Sequence, residues 1–285
     1  MKNILTYIVI ILCLTLSIFL AKNNLFNKSS TKTNKKTNII EKKKVDNKET
    51  KPDYYNKEYK ERYTAYQKEF PNISFEDVVT RVNIGLDKPY YTNTKKTPYQ
   101  NKDYILVNKY IYMENDYIPE NLEDLDTSYS RSGMKLVKSA KDSLEKMIES
   151  AKNDGYTIRV MSSYRSYNYQ VNLYNRYVNT DGKEAADTYS ARPGFSEHQT
   201  GLCVDIDDSK INYTNFEKSE SFKWMQENAH LYGFILRYPE DKTEITGYTY
   251  ESWHYRYVGK EIATYIKKHN ITFDEYYVKF IENKK

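Results

Sequence analysis

Residues 196–206 read SEHQTGLCVDI, a histidine and a glycine followed by a short apolar run that holds one acid. The run 202–206 (LCVDI) reads as a buried strand, and a charged Asp205 inside it is costly to bury unless it is paired or coordinated. His198 and Asp205 lie seven residues apart, an odd number that one continuous strand would turn to opposite faces. Thr200-Gly201 offers the break that lets them converge, because glycine tolerates backbone angles that other residues do not. His198 is therefore expected on the preceding loop and Asp205 on the strand. Cys203, two residues before Asp205, faces the same side; it is expected to be a small buried hydrophobe, with a soft metal ligand as the alternative.

Two further segments extend the pattern, SSYRS at 162–166 and ESWHYRYVG at 251–259. The chain has four histidines, and His198 and His254 are two of them. A catalytic zinc ion commonly takes three protein ligands from His and Asp/Glu and leaves the fourth position to water. His198, Asp205 and His254 supply such a set for one Zn²⁺ per chain, and Glu251 is left as a candidate general base. Two neutral imidazoles and one carboxylate leave the site net positive, enough to lower the pKa of a bound water to roughly 7. Residues three apart in a strand point to opposite faces, so Glu251 is expected on a loop that turns near Ser252, with His254 opening the strand HYRYV. Residues 157–163 read as another strand, and Arg165 follows its end, where a guanidinium can grip a carboxylate in a planar, bidentate fashion.

At these residues the chain resembles the zinc D-Ala-D-Ala carboxypeptidases typified by VanY, a family that includes peptidoglycan L,D-carboxypeptidases. SxYRS, RPGxSEHQTGLxVDI and ExWHYRYVG carry the likeness, which runs from about Ile105 to Glu282 and includes NAHLYGFILRYP at 228–239. The resemblance implies His198, Asp205 and His254 as zinc ligands, Glu251 as the base, and Arg165 as the cation that steadies the scissile carbonyl or the substrate carboxylate. Ser196 and Gln170 are weaker candidates for substrate contacts. Ser252 stands where the family usually has Pro, which frees a backbone angle and predicts a looser loop. Cys203 stands where it usually has Ala, bringing an oxidisable thiol toward the metal. The expected activity is removal of a terminal D-alanine from peptidoglycan stem peptides, with D,D specificity preferred over L,D. A non-catalytic, zinc-stabilised wall-binding module is the alternative, since related zinc folds such as the hedgehog signalling domain serve in binding. A structural zinc site is usually closed by a fourth protein ligand, and Cys203 is the one residue placed to do that.

Ile4 to Ala21 is an uncharged apolar run, about the minimum for a membrane-spanning helix. It is expected to be a retained signal anchor, with a cleaved signal peptide as the alternative, because Phe19 fits the small-x-small cleavage pattern poorly. The basic residues follow the run, against the positive-inside rule, but long domains cross largely regardless of charge. The catalytic domain is therefore expected outside a bacterial cell membrane. Residues 22–52 hold ten lysines against three acids and few large apolar side chains, the composition of a disordered tether. The whole chain carries +5, so with Lys2 set beside the tether the remainder, 53–285, is left about −3. The basic character belongs to the tether, and nothing in the folded part has the charge or motifs of nucleic-acid binding. Two cysteines, one of them in the apolar run, exclude a disulfide framework.

Residues 53–97 are expected to form a helical lead-in and 98–285 the zinc carboxypeptidase domain. Val137, Ala140, Leu144, Met147 and Ala151 follow helical spacing up to a stop at Asp154-Gly155; Tyr167, Val171, Tyr174 and Val178 predict a helix over 167–179. A third helix is expected over 219–232, stopped at Gly233 and followed by the strand FILRY. Thr272 and Glu275 form a capping-box signature for the last. These elements predict an α+β domain with a small, mainly antiparallel sheet and helices around it, the zinc peptidase fold of the D-Ala-D-Ala carboxypeptidase and hedgehog type.

Overall fold

The computed structural model describes residues 51–282. The anchor at 4–21 and almost all of the tether lie outside them, and among the described residues no helix is long and apolar enough to cross a membrane. The lead-in contains two helices, α1 (Lys60–Glu69) and α2 (Phe75–Ile84). Ser74 caps α2 by accepting the Asp77 amide, and Gly85 ends it at φ 109°. Tyr63 and Tyr66 of α1 bury against Val78, Val79 and Val82 of α2, so this region has a small core of its own. Arg62 clasps Asp87 with two hydrogen bonds of 2.7 and 2.6 Å.

Two short strand pairs follow. β1 (Lys95–Lys96) runs parallel to β2 (Ile111–Tyr112), and β3 (Leu122–Asp124) antiparallel to β4 (Lys135–Val137). Helix α3 (Lys138–Asn153) ends at Asp154, with Gly155 at φ 87°. It buries Ala140, Leu144, Met147, Ile148 and Ala151, the stripe that helical spacing predicts.

The main sheet has four strands in the order β5 (Arg159–Ser162), β6 (Cys203–Asp207), β8 (His254–Tyr257) and β7 (Phe234–Leu236), every pair antiparallel. Between β5 and β6 lie α4 (Tyr167–Asp181) and α5 (Lys183–Tyr189); α6 (Glu220–Asn228) precedes β7, α7 (Thr243–Thr246) precedes β8, and α8 (Lys260–His269) and α9 (Phe273–Phe280) close the chain. The two central strands separate chemistry by alternation. Val204, Ile206, Tyr255 and Tyr257 join the core that α3 covers. Their neighbours Cys203, Asp205, His254 and Arg256, also buried, turn to the other face. Thr272 and Glu275 make the capping box of α9, and α2 of the lead-in packs on α9.

Three local expectations need correction. The helix at 167–179 is present, but its buried residues are Gln170, Leu173 and Tyr174, while Val171 and Val178 stay half-buried. A polar residue, Gln170, sits on the inner face because that face borders a cleft rather than an apolar core. The helix at 219–232 divides at Asn228 into α6 and a tight 3-10 turn, Ala229–Tyr232, before Gly233 at φ 84°. FILRY is a strand only through Leu236; the Arg237 amide still donates to His254 O at 3.1 Å, and the side chains of Arg237 and Tyr238 serve the polar face.

His198 lies on a 3-10 turn, Glu197–Thr200, that Gly201 terminates at φ 66°. A β-carbon on Gly201 would lie 2.9 Å from Leu122 Cδ2 and 3.2 Å from Pro119 Cγ. Gly201→Ala therefore combines a disfavoured backbone angle with a clash, and calorimetry should show a loss of about 1–3 kcal/mol. An unchanged melting temperature would mean that the turn is held by other groups.

Candidate active site

The antiparallel register sets Asp205 directly opposite His254. His198 reaches the same point from the turn before β6. Its ring is fixed from behind, since Nδ1 donates to the Ser163 carbonyl at 2.7 Å, just beyond an irregularity in the β5–β6 register between Val160 and Ser162. The Arg165 amide donates to the His198 carbonyl at 3.1 Å, tying the SSYRS segment to the histidine turn. Glu251 is on a loop, as its spacing requires. Its amide donates to Tyr238 O and its carbonyl accepts the His254 amide at 3.3 Å, a turn that brings its carboxylate to 3.7 Å from His254 Nδ1.

With Nδ1 of His198 committed as a donor, a neutral ring presents a lone pair at Nε2, which is buried without a hydrogen-bond partner and faces Asp205 Oδ2 at 3.4 Å. His254 repeats the arrangement in mirror fashion: Nε2 lies 3.4 Å from Glu197 Oε2, and Nδ1 lies 3.1 Å from Asp205 Oδ1. Two lone pairs aimed at one carboxylate repel unless cations intervene. Protons can serve: burial by itself would lower both imidazoles, but Cys203 and Asp205 raise them above the ordinary histidine range. A divalent metal replaces those protons, and the spacing suits one, because the edges of a tetrahedron with bonds of about 2.0–2.1 Å are about 3.3–3.4 Å long. The donor set therefore fits zinc.

Cys203 is fully buried, as expected, and its sulfur and one nitrogen each of His198 and His254 lie within 4.8 Å of one another, the spacing that its alternative role as a soft ligand requires. The two imidazoles bring its thiol down to about 7 against the upward push of burial. Period-2 alternation put Cys203 on this face; its distance from both rings needed the third strand and the turn.

These groups open onto a cavity of about 590 Å³. Arg165 and Gln170 line it, and each leaves a buried polar atom without a partner there, Nε and Oε1 respectively. Ser196 also lines it, along with Tyr213 and Trp253, whose rings meet edge to face at 5.3 Å. Arg165 lies 3.6 Å from Asp205 Oδ2. Burial, reinforced by Asp205, pushes the Glu251 carboxyl up to about 7 even though His254, His198 and Arg165 pull it down. All seven residues picked out by sequence thus meet in one cleft.

Sequence reading missed the groups beneath them. Glu197 Oε1 accepts from Arg237 Nε at 2.8 Å and from Arg256 at 2.9 Å, while Arg237 also donates to Asp274 at 2.6 Å. Asp274 takes a further hydrogen bond from Asn108, and Arg256 donates to the carbonyls of Asp103 and Ile105. Burial alone would raise the Glu197 carboxyl, but the two guanidiniums hold it well below the usual carboxylate range. The signal was present, since Glu197, Arg237 and Arg256 all lie inside the quoted motifs, but no periodicity pairs an acid with arginines 40 and 59 residues away.

The family model described as VanY, D-alanyl-D-alanine carboxypeptidase, matches residues 133–260. Putative carboxypeptidase YodJ of Bacillus subtilis (strain 168) is 40% identical over 212 residues, which cover 69% of this chain and 77% of that protein. The chain belongs to the VanY family. The D-alanyl-D-alanine carboxypeptidase of Enterococcus faecalis is 41% identical over 142 residues, 47% of this chain and 52% of that one. Among solved structures, the LdcB LD-carboxypeptidase aligns with a TM-score of 0.62 at 37% identity, covering 66% of this chain and 91% of that one. A VanY D,D-pentapeptidase variant in complex with Zn(II) aligns with a TM-score of 0.54 at 37% identity, covering 61% and 98%. The α+β fold with its small antiparallel sheet is the fold of these zinc peptidases.

Within this VanY-type site the replacement of Pro by Ser252 does not leave the loop loose. Ser252 is buried and its hydroxyl donates to Glu217 at 2.9 Å, a side-chain tether in place of a rigid ring.

Glu197→Gln keeps the shape but strips the charge that two buried guanidiniums share. Breaking one side of a buried ion pair costs about 3–5 kcal/mol, so the melting temperature should fall by about 10 °C. Zinc affinity should fall by about 10–100-fold through the loss of the acceptor behind His254. Wild-type values of both in a thermal and a zinc titration would show that the network is incidental.

Proposed function

We propose that this chain is a zinc-dependent carboxypeptidase that removes the terminal D-alanine from peptidoglycan stem peptides, with D-alanyl-D-alanine ends preferred. The observation that carries this reading is the convergence of His198 Nε2 and His254 Nδ1 on the single carboxylate of Asp205, beside the buried carboxyl of Glu251 at the wall of a cleft. His198, Asp205 and His254 hold one zinc per chain. The ion supplies Lewis acidity, polarising the scissile carbonyl and making water a usable nucleophile at neutral pH.

The remaining steps belong to side chains. Glu251, with its carboxyl pushed up to about 7, has the proton affinity to accept a proton from the attacking water and return it to the leaving amine. Arg165 directs a charge into the cleft and steadies the substrate carboxylate or the oxygen of the scissile carbonyl. Gln170 is held by its Nε2, which donates to Ala191 O at 2.8 Å, so its free Oε1 is aimed at an amide or amine of the substrate. Ser196, also buried, offers a hydroxyl to the same cavity. An L,D-carboxypeptidase acting on tetrapeptide stems is the second specificity, supported by the likeness to LdcB. Both substrates end in D-alanine and a free carboxylate, so the same groups serve either. Because peptidoglycan lies outside the bacterial membrane, we place the domain there, anchored through residues 4–21 or released after cleavage of that segment.

One observation favours a different reading. His198, Cys203 and His254 by themselves form a compact metal-ligand cluster, and a zinc closed by sulfur would suit a wall-binding module. Cobalt substitution separates the two. The catalytic reading predicts a Co(II) protein without thiolate-to-cobalt charge-transfer absorption; that absorption, lost in Cys203→Ala and accompanied by no turnover, would establish the closed site.

In a D-alanine release assay on synthetic pentapeptide, Glu251→Gln should lose at least about 10²-fold in rate while keeping zinc. Replacing both His198 and His254 with Ala should abolish zinc retention. Near-normal release by Glu251→Gln, or stoichiometric zinc in the double variant, would defeat the assignment.

A further inference from the structure

The metal-side groups occupy only one end of the cleft. The other end runs along α4, where Gln170, Leu173, Arg176 and Tyr177 share a face by their three- and four-residue spacing and line the cavity together with Asp181 and Tyr189. From Gln170 to Asp181 the helix rises about 16 Å, the span of four to five extended residues. A carboxypeptidase that releases one residue has one position beyond the scissile bond. The far wall therefore meets the retained part of the peptide.

That wall carries two charges of opposite sign, neither neutralised by an ion pair among the described residues. Arg176 is exposed, and its guanidinium lies over the Tyr177 ring, 5.9 Å from the centroid. Asp181 stands five residues on, about 7.5 Å further along the helix axis. It is oriented by the Tyr189 hydroxyl, which donates to it, and Tyr189 is held edge to face on Tyr177 at 5.1 Å. The carboxylate is thus placed by aromatic neighbours, while the guanidinium can swing to meet an acid. A ligand suited to both carries an acid and an amine a few atoms apart.

Resting on the carboxypeptidase reading above, we propose that Arg176 and Asp181 form an upstream subsite for the zwitterionic side-chain end of a diamino diacid in the stem peptide, the carboxylate going to Arg176 and the ammonium to Asp181. A stem built on diaminopimelate presents both groups. One built on lysine presents only the ammonium and leaves Arg176 unused.

The test compares kcat/KM on two pentapeptides that differ only at the third residue, meso-diaminopimelate or lysine, each with D-isoglutamine before it so that no other upstream carboxylate is present. The native chain should favour the diaminopimelate peptide by about three- to fivefold, the scale of an exposed ion pair, and the advantage should shrink with added salt. Arg176→Ala should erase the preference by slowing only the diaminopimelate peptide. Asp181→Asn, which keeps an acceptor for Tyr189, should slow both. Equal ratios in the native chain and Arg176→Ala would overturn the subsite. So would a loss in Arg176→Ala that appears only when D-isoglutamate replaces D-isoglutamine in both peptides, because Arg176 would then be reading that carboxylate. A native chain that releases D-alanine from neither of these pentapeptides nor from the matching tetrapeptides would instead overturn the carboxypeptidase reading, and the subsite with it.

Discussion

Glu197 between Arg237 and Arg256 is the interaction on which the rest of this structure depends. Two acids and two arginines, Glu197 and Asp274 with Arg237 and Arg256, are buried as a balanced set. Their links bind the histidine turn, the end of β7, strand β8, helix α9 and the loop carbonyls of Asp103 and Ile105 into one unit. A buried ion pair is weak support for stability when set against apolar packing, but losing one member is severe. The set therefore fixes one arrangement of these segments rather than adding much to the total. Its outer edge is His254 Nε2 against Glu197 Oε2, so the ring that faces the cleft takes its orientation from the network beneath it.

Above that network the polar face presents negative charge at Asp205 and Glu251 and lone pairs at two imidazoles. Such a face is stable with protons or with a metal, and the two states exchange one for the other. Burial does the rest. It strengthens every charge interaction in the cleft and pushes Glu251 toward neutrality. Cys203 sits at the edge of this balance, a thiol held low by the imidazoles of His198 and His254 against the upward push of burial.

The lead-in contributes to the site at a distance. Its helix α2 packs on α9, which carries Asp274, and Lys279 of α9 meets Glu76 of α2 at 3.0 Å. The hydroxyl of Tyr91, just beyond α2, lies 3.4 Å from the Tyr248 hydroxyl, and the Tyr248 ring packs at a tilt against Tyr238, which packs in the same way against His254. Aromatic contacts thus run from residues outside the family match to the His254 ring.

The residues of the site were legible in the sequence because their chemistry is rare and local. An aspartate in an apolar strand, a glycine just before it and two of only four histidines point to a buried cation site without any knowledge of the fold. Alternation along CVDI and HYRY sorted core from site, and capping chemistry fixed the start of α9. Tertiary structure alone decided what lies between segments. The register that sets Asp205 opposite His254, the burial of Gln170 rather than Val171 and Val178, the closeness of Cys203 to both rings, and the partners of Glu197 depend on contacts tens of residues apart. Local propensity and spacing carry no information about such pairings. They arise only when strands and helices from distant parts of the chain bury their charges together.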